Sequence, residues 1–412
     1  MSRVRPNGIR DTKWHTGFVR IARSAKAPIL PVHIDGRNSA LFYGASMLYK
    51  PLATLLLVKE MFKHQCGHLD IKIGEMIPYE SYHNPDEPVG TTVTKFKQHL
   101  YRLPKSRKLR ARKKPIFETE PPIALPENKL IIRRELESSE LLGETSDGKQ
   151  IYLIQHLKSS ALLREIGRLR EMTFRAVGEG TGRRRDTDKY DSYYYHLVLW
   201  DKDNLEIAGA YRFADVSYVF DRVSENGLYT QTLARYSDAA KPLIRQGLEL
   251  GRSFVQPRYQ GKRALDYLWF GIGAFLKSRP QYRYLFGPVS LSNNYPAQAK
   301  DLMVYFYSMY FGATEHLATS MQPYQLSADS SHIASLFKGD DYKADFTVLK
   351  QSLNEMGVNV PTLYKQYTEL CEPGGVTFLD FGVDPDFGDC VDGLVLVDMT
   401  QLKEKKRLRY LA

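Results

Sequence analysis

The feature that most constrains the fold is a set of ionisable residues placed inside otherwise apolar strand patterns. "GAYRF" puts Arg212 within a run that reads as a strand from Leu205 to Ala214, and "LELGRSFV" puts Glu249 and Arg252 in the next strand-like segment, Leu248–Val255. Such groups are expensive to bury unless they are paired, so these segments require an internal ion-pair network. Asp186, Asp188 and Asp191, in the loop-like "RDTDKYD" just before another strand pattern, are the carboxylates available to it. Glu249 and Arg252 lie three apart and face opposite sides of a flat strand unless a bulge intervenes. Structural ion pairing and a cleft of perturbed carboxylates both fit this spacing.

The rest of the chain from about Asn128 onward reads as α/β. The spacing of Leu162, Leu163, Ile166, Leu169 and Phe174 predicts a helix over Ser160–Val177. Strands are expected at Tyr193–Trp200, Tyr284–Leu291, Val376–Val383 and Val391–Asp398, with helices over Ala264–Lys277 and around Ala297–Tyr310. The acidic stretch Asp380–Gly393 lacks the spacing of a calcium loop and reads as a turn between two strands. No metal site is expected: Cys66, Cys371 and Cys390 form neither a CxxC nor a Cys/His cluster. One His-x-x-x-x-Asp match, His196 to Asp201, falls on a strand pattern, where the two residues lie too far apart to act as a dyad.

Charge divides the chain. Residues 1–127 hold 22 basic and 11 acidic side chains, a surplus equal to the +11 of the whole molecule. From Thr16 to Tyr79 short strands and helices are expected: a β-rich run at Ala27–Gly36, an alternating strand at Leu69–Ile77 and a helical stretch broken at Pro51 between them. Pro85–Pro126 reads as a Pro-rich basic linker, with seven basic residues in the twelve of Pro104–Pro115. The apolar stretch Ala40–Met61 is broken by Lys50, Pro51, Lys59 and Glu60, short of a membrane span. A basic, patchily apolar third of this kind is expected at an anionic membrane surface and not on nucleic acid.

From Arg164 to about Ser290 the ordered series "LREMTF", "DTDKYD", "GAYRF", "LELGRSFVQPRYQGK", "ALDYLWFGIGAFL" and "YLFGPVSL" resembles the ornithine-lipid type N-acyltransferases of the GNAT superfamily. These relatives of acyl-homoserine-lactone synthases are often labelled hemolysin-like. The resemblance implies a mixed sheet flanked by helices over residues 128–412. It also implies transfer of a long acyl chain from acyl carrier protein, or CoA, to the amino group of an amino acid such as ornithine or glycine in aminolipid synthesis. No bound cofactor is expected. Carried over by position, Arg170, Phe174, Asp188, Asp191 and Arg212 shape the acceptor cleft, with the two aspartates meeting the cationic acceptor. Glu249 is the expected base, with Arg252 beside it. An oxyanion-binding N–H is expected near Phe254 and Val255, and Tyr307 is the candidate proton donor to the leaving thiolate.

The turn "YQGKRAL" departs from the superfamily's usual pattern. It keeps Gln260 and Gly261 but has Arg263 and Leu265 where later small residues stand, which disfavours close approach of a CoA pyrophosphate. Arg258, Lys262 and Arg263 instead suit an acidic carrier protein.

Residues 1–84, through "GFVRIARSAKAPILPVHIDG" and "LDIKIGEMI", resemble the late core of PlsC-like glycerolipid acyltransferases. The dyad and substrate motif of that family belong upstream of these segments, so this module is expected to be partial and silent on its own, with 85–127 as linker. Three readings follow: an N-acyltransferase, peripheral on the inner face of the cell membrane in the cytoplasm; an acyl-homoserine-lactone-type synthase; or a silent membrane-associated scaffold, which has no need of the carboxylates.

Overall fold

A computed structural model describes residues 2–5, 8–11, 13–35, 39, 42, 60, 70–103, 114–155, 160–327 and 330–411. The chain forms two compact units, Met1–Pro122 and Ile123–Ala412.

In the first unit the two expected strands are present as Val32–Asp35 and Asp70–Ile73, paired antiparallel with Val32 opposite Ile73. The expected linker is corrected over its described part. Val89–Leu100 is a helix, and its Val93 and Phe96 pack with Val19, Ile77, Tyr82 and Phe117 in a small core of their own. The boundary therefore falls after Pro122, because this apolar face has a core to join. The helical stretch broken at Pro51 and nearly all of Pro104–Pro115 lie outside the described residues.

The second unit is built on a sheet of eight strands among the described residues: β1 (Glu140–Glu144), β2 (Gln150–Gln155), β3 (Tyr195–Asp201), β4 (Glu206–Asp215), β5 (Gly247–Val255), β6 (Tyr284–Leu291), β7 (Val376–Asp384) and β8 (Cys390–Asp398). Their spatial order is β7-β8-β6-β5-β4-β3-β2-β1. Every neighbouring pair is antiparallel except β5 and β6, which run parallel. Both faces are covered, which is why the central strands are apolar throughout rather than alternating. On one face Leu162, Ile166, Leu169 and Phe174 of helix α1 (Ala161–Arg175) pack on Tyr152, Val198, Trp200 and Phe254. On the other, α2 (Ala264–Lys277) and α3 (Ala297–Phe311) pack on Leu153, Leu197, Phe213 and Leu250. Ser160 starts α1 by accepting from the Leu163 amide, 3.0 Å. Among the described residues no helix is long and apolar enough to cross a membrane.

Two irregularities in the middle of the sheet position the site. The parallel ladder between β5 and β6 runs for three pairs, Gly247–Tyr284 to Glu249–Phe286. At the next step a side chain at Gly287 would place its Cβ 2.0 Å from the Leu250 carbonyl oxygen, so only glycine lets the strands touch there before they part. Against β4, strand β5 slips by one residue between Gly251 and Phe254. This is the bulge that Glu249 and Arg252 required, and it is made by Arg252 in the left-handed region, φ 50°.

Candidate active site

Arg170 of α1 is fully buried and bidentate to Asp191, at 2.9 and 2.8 Å, and also donates to the Asp186 carbonyl oxygen. Arg212 of β4 donates from Nη1 to Asp191 Oδ1, 2.9 Å, and to Asp188 Oδ1, 2.6 Å. Asp188 and Asp191 also cap each other's backbone around the short turn Lys189–Ser192. The two guanidiniums hold the Asp191 carboxyl far below the usual carboxylate range against the opposing effect of burial. His196, opposite Arg212 on β3, bonds the Asp191 carbonyl oxygen at 3.0 Å; burial pushes its pKa down to about 4, so it is neutral at pH 7. Asp201, five residues on, instead accepts from Asn204 and from Tyr259.

Both oxygens of Asp191 are filled by Arg170, Arg212 and the Asp188 amide, whereas Asp188 Oδ2, on a side chain 22% exposed, has no hydrogen-bond partner among the described residues.

Glu249 sits where the β5–β6 ladder ends and is 2% exposed. Its Oε1 accepts from the Tyr194 hydroxyl, 3.1 Å, and the Thr230 amide, 3.3 Å; Oε2 accepts from the Thr230 hydroxyl, 3.1 Å. Burial raises its pKa to about 7 despite those donors. A carboxyl so poised is half-ionised at neutrality, which suits a general base. Arg252 stands on the same side, stacked 4.3 Å from the Phe387 ring and 4.9 Å from that of Tyr229, with Nε 3.5 Å from Asp186 Oδ2. Phe174 reaches the site through Phe387, edge to face at 5.0 Å.

Phe254 is buried and Val255 half-buried just past the bulge, on the strand that has parted from β6. The following turn exposes Arg258, Gln260, Gly261, Lys262 and Arg263 ahead of α2. Gly261 takes φ 70°, Gln260 donates to the Val255 carbonyl oxygen and Arg258 pairs with Glu206. Tyr307 is not brought to this place. It is fully buried on α3 against Tyr364, Phe378 and Phe311, and its hydroxyl, without a hydrogen bond among the described residues, stands outside the charge network.

Three acidic residues that sequence reasoning left out of the site lie near Arg252. Asp392 on β8 accepts from Ser290 of β6, 2.6 Å, and Asp384 on β7 accepts from the Tyr229 hydroxyl, 2.7 Å. Glu179, in the loop after α1, feels both Asp392 and Arg252. A sequence signal existed for Asp392, which interrupts the expected strand Val391–Asp398 as Glu249 interrupts its own.

A family model described as an acetyltransferase (GNAT) domain matches residues 169–270, which span α1 to the middle of α2. A glycine N(alpha)-acyltransferase of Bacteroides thetaiotaomicron is 35% identical over 306 residues, covering 70% of this chain and 89% of its own length. A lyso-glycine lipid O-acyltransferase of the same organism is 35% identical over 91 residues, 20% of this chain and 34% of its own. An L-ornithine N(alpha)-acyltransferase of Brucella abortus is 31% identical over 157 residues, 36% of this chain and 51% of its own.

Proposed function

The chain belongs to the GNAT-type amino-acid N-acyltransferases, and from that premise we propose that it moves a long acyl chain from acyl carrier protein to the α-amine of glycine in lipid synthesis. The observation that carries the chemistry is Glu249, a buried carboxyl with pKa about 7 at the point where two parallel strands separate. An α-amine arrives protonated and must lose a proton before it attacks a thioester; Glu249 takes that proton directly or through water, and as the amide C–N bond forms and the C–S bond breaks the thiolate leaves with the second amine proton as free thiol. The carbonyl oxygen, as it gains charge, is met by a backbone N–H of the parted strand near Phe254 and Val255. Glycine is chosen because the glycine-specific relative is 35% identical over 89% of its length, whereas an ornithine-specific relative covered over 92% of its length is 25% identical. Carrier protein is chosen because the turn before α2 presents Arg258, Lys262 and Arg263 to solvent, a complement to an acidic partner.

The first unit is read as part of an O-acyltransferase-like module from the resemblance of its segments, and a 91-residue stretch of the chain is similar to a lyso-glycine lipid O-acyltransferase. Its basic surplus attaches the protein to an anionic membrane.

The test supplies purified protein with long-chain acyl carrier protein or acyl-CoA and, in turn, glycine, ornithine, serine and lysine, and follows free thiol. Release is expected from the carrier protein, fastest with glycine. No release with any acceptor overturns the transferase reading, and preference for acyl-CoA overturns the choice of donor.

A further inference from the structure

Arg252 differs from the other buried arginines of the site. Its side chain is 9% exposed, yet among the described residues no hydrogen bond reaches its guanidinium. Asp186 Oδ2, 3.5 Å from its Nε, is itself without a hydrogen bond. The Phe387 and Tyr229 rings take part of its face. A buried cation whose donors are unfilled is costly, and the cost disappears when an anion supplies the acceptors.

The acidic side also has unfilled acceptors. Asp392 uses Oδ1 to accept from Ser290 and from the Cys390 thiol, and its Oδ2 has no hydrogen-bond partner among the described residues. The half-buried Glu179 carboxyl likewise accepts none there. Arg252 lies three residues past the end of the β5–β6 ladder on β5, and Ser290, four residues past it on β6, carries Asp392 of the next strand by its hydrogen bond and register, so the positive and negative charges come from opposite sides of the parted strands.

We propose that Arg252 and these carboxyls hold the acceptor amino acid, with its α-carboxylate on Arg252 and its α-ammonium against Asp392 and Glu179 until its proton passes through water to Glu249. The proposal rests on the N-acyltransferase reading and names where that reaction's acceptor binds. A zwitterion satisfies the cation and the carboxylates together. The phosphate of a thioester arm satisfies Arg252 alone and is repelled by Asp384, Asp392 and Glu179. Burial, with the neighbouring negative charges, raises Asp392 and Glu179 each to about 7, so an arriving ammonium finds carboxyls ready to ionise.

The experiment compares glycine with glycinamide, which keeps the amine and replaces the carboxylate with a neutral amide. Wild-type protein is expected to favour glycine by about 100-fold in kcat/KM, the scale of a lost charge-assisted bidentate contact. Arg252→Gln should bring the ratio to within a few-fold, with KM for the acyl donor unchanged. Asp392→Asn should raise KM for both acceptors by about 10-fold and keep the ratio, because it weakens only the hold on the amine. A wild-type ratio near one overturns the proposal without any variant having to fold. So does an Arg252→Gln protein that keeps the ratio and weakens the donor instead. If no acceptor turns over, calorimetry of glycine binding to wild type and Arg252→Gln still reads the subsite: binding lost in the variant supports it and equal binding overturns it.

Discussion

The second unit carries two clusters of buried charge only a few residues apart in the sheet, and they are finished differently. Around Asp191 the carboxylate is closed: Arg170 is bidentate to it, Arg212 bridges it to Asp188, and a neutral histidine sits behind, leaving only Arg212 Nε and Asp188 Oδ2 without a hydrogen-bond partner among the described residues. Around Arg252 the charges are open, with an arginine lacking hydrogen bonds and carboxyls raised toward neutrality. Charge type does not distinguish scaffold from site here; both clusters consist of arginine and carboxylates. Saturation does. A closed network fixes geometry, whereas an open one retains free energy for something that arrives from solution.

The sharpest way to break this comparison is Arg170→Met. Removing one partner from the closed network leaves Asp191 buried with less compensation, and an expected loss of ~3–5 kcal/mol in urea denaturation follows. A loss under ~1 kcal/mol, the level of a surface pair, would mean that the cluster is not closed.

Next in size is Glu249→Gln, where kcat is expected to fall about 100-fold or more while the protein remains folded. The sign of the pH dependence follows from the raised pKa. Glu249 is protonated below about 7 and ionised above it, so wild-type kcat should climb through pH 7 and the variant should lack that limb. The same shift means that stability contributed by the neutral carboxyl is present at low pH and is lost as pH rises from its unfolded value of about 4.5 to about 7. A variant with wild-type turnover would remove Glu249 as base.

The smallest effect belongs to charge that stays in water. Binding of the whole chain to anionic vesicles should weaken steeply between low and physiological salt, since each basic residue near the surface contributes on the order of 1 kcal/mol, screened over a Debye length. Salt-independent binding, or none, would argue against electrostatic attachment.

Much of this was legible in the sequence because the sheet is covered on both faces. Unbroken apolar runs marked β4, β5, β6 and β8, and the charged residues inside them marked the network. The bulge was left open, since the spacing of Glu249 and Arg252 put them on opposite sides of a flat strand and on one side of a bulged one. Other parts were hidden by their physical setting. β1 is an edge strand with Glu140, Leu141 and Glu144 exposed, so it has no buried face to set a pattern. Val89–Leu100 was masked by the Pro-rich, charged composition around it, although Val89, Val93 and Phe96 have helical spacing. Asp384 and Asp392 flank a segment whose Gly, Pro and Asp content does form a turn, at Pro385–Phe387, and the strands on either side fall within a residue of those expected, so what was hidden is the partner that Asp392 meets. What brings Asp392 to Arg252 is sheet order across 140 residues, which local pattern does not carry.

The backbone at Arg252 bears on how such a protein can change. A side chain held at φ 50° costs on the order of 1–3 kcal/mol, and glycine at the same position would remove most of that strain. Selection for heat resistance alone would therefore favour losing the arginine. Its presence records the opposite pressure, in which stability was surrendered at one residue so that a guanidinium could stand where two strands part.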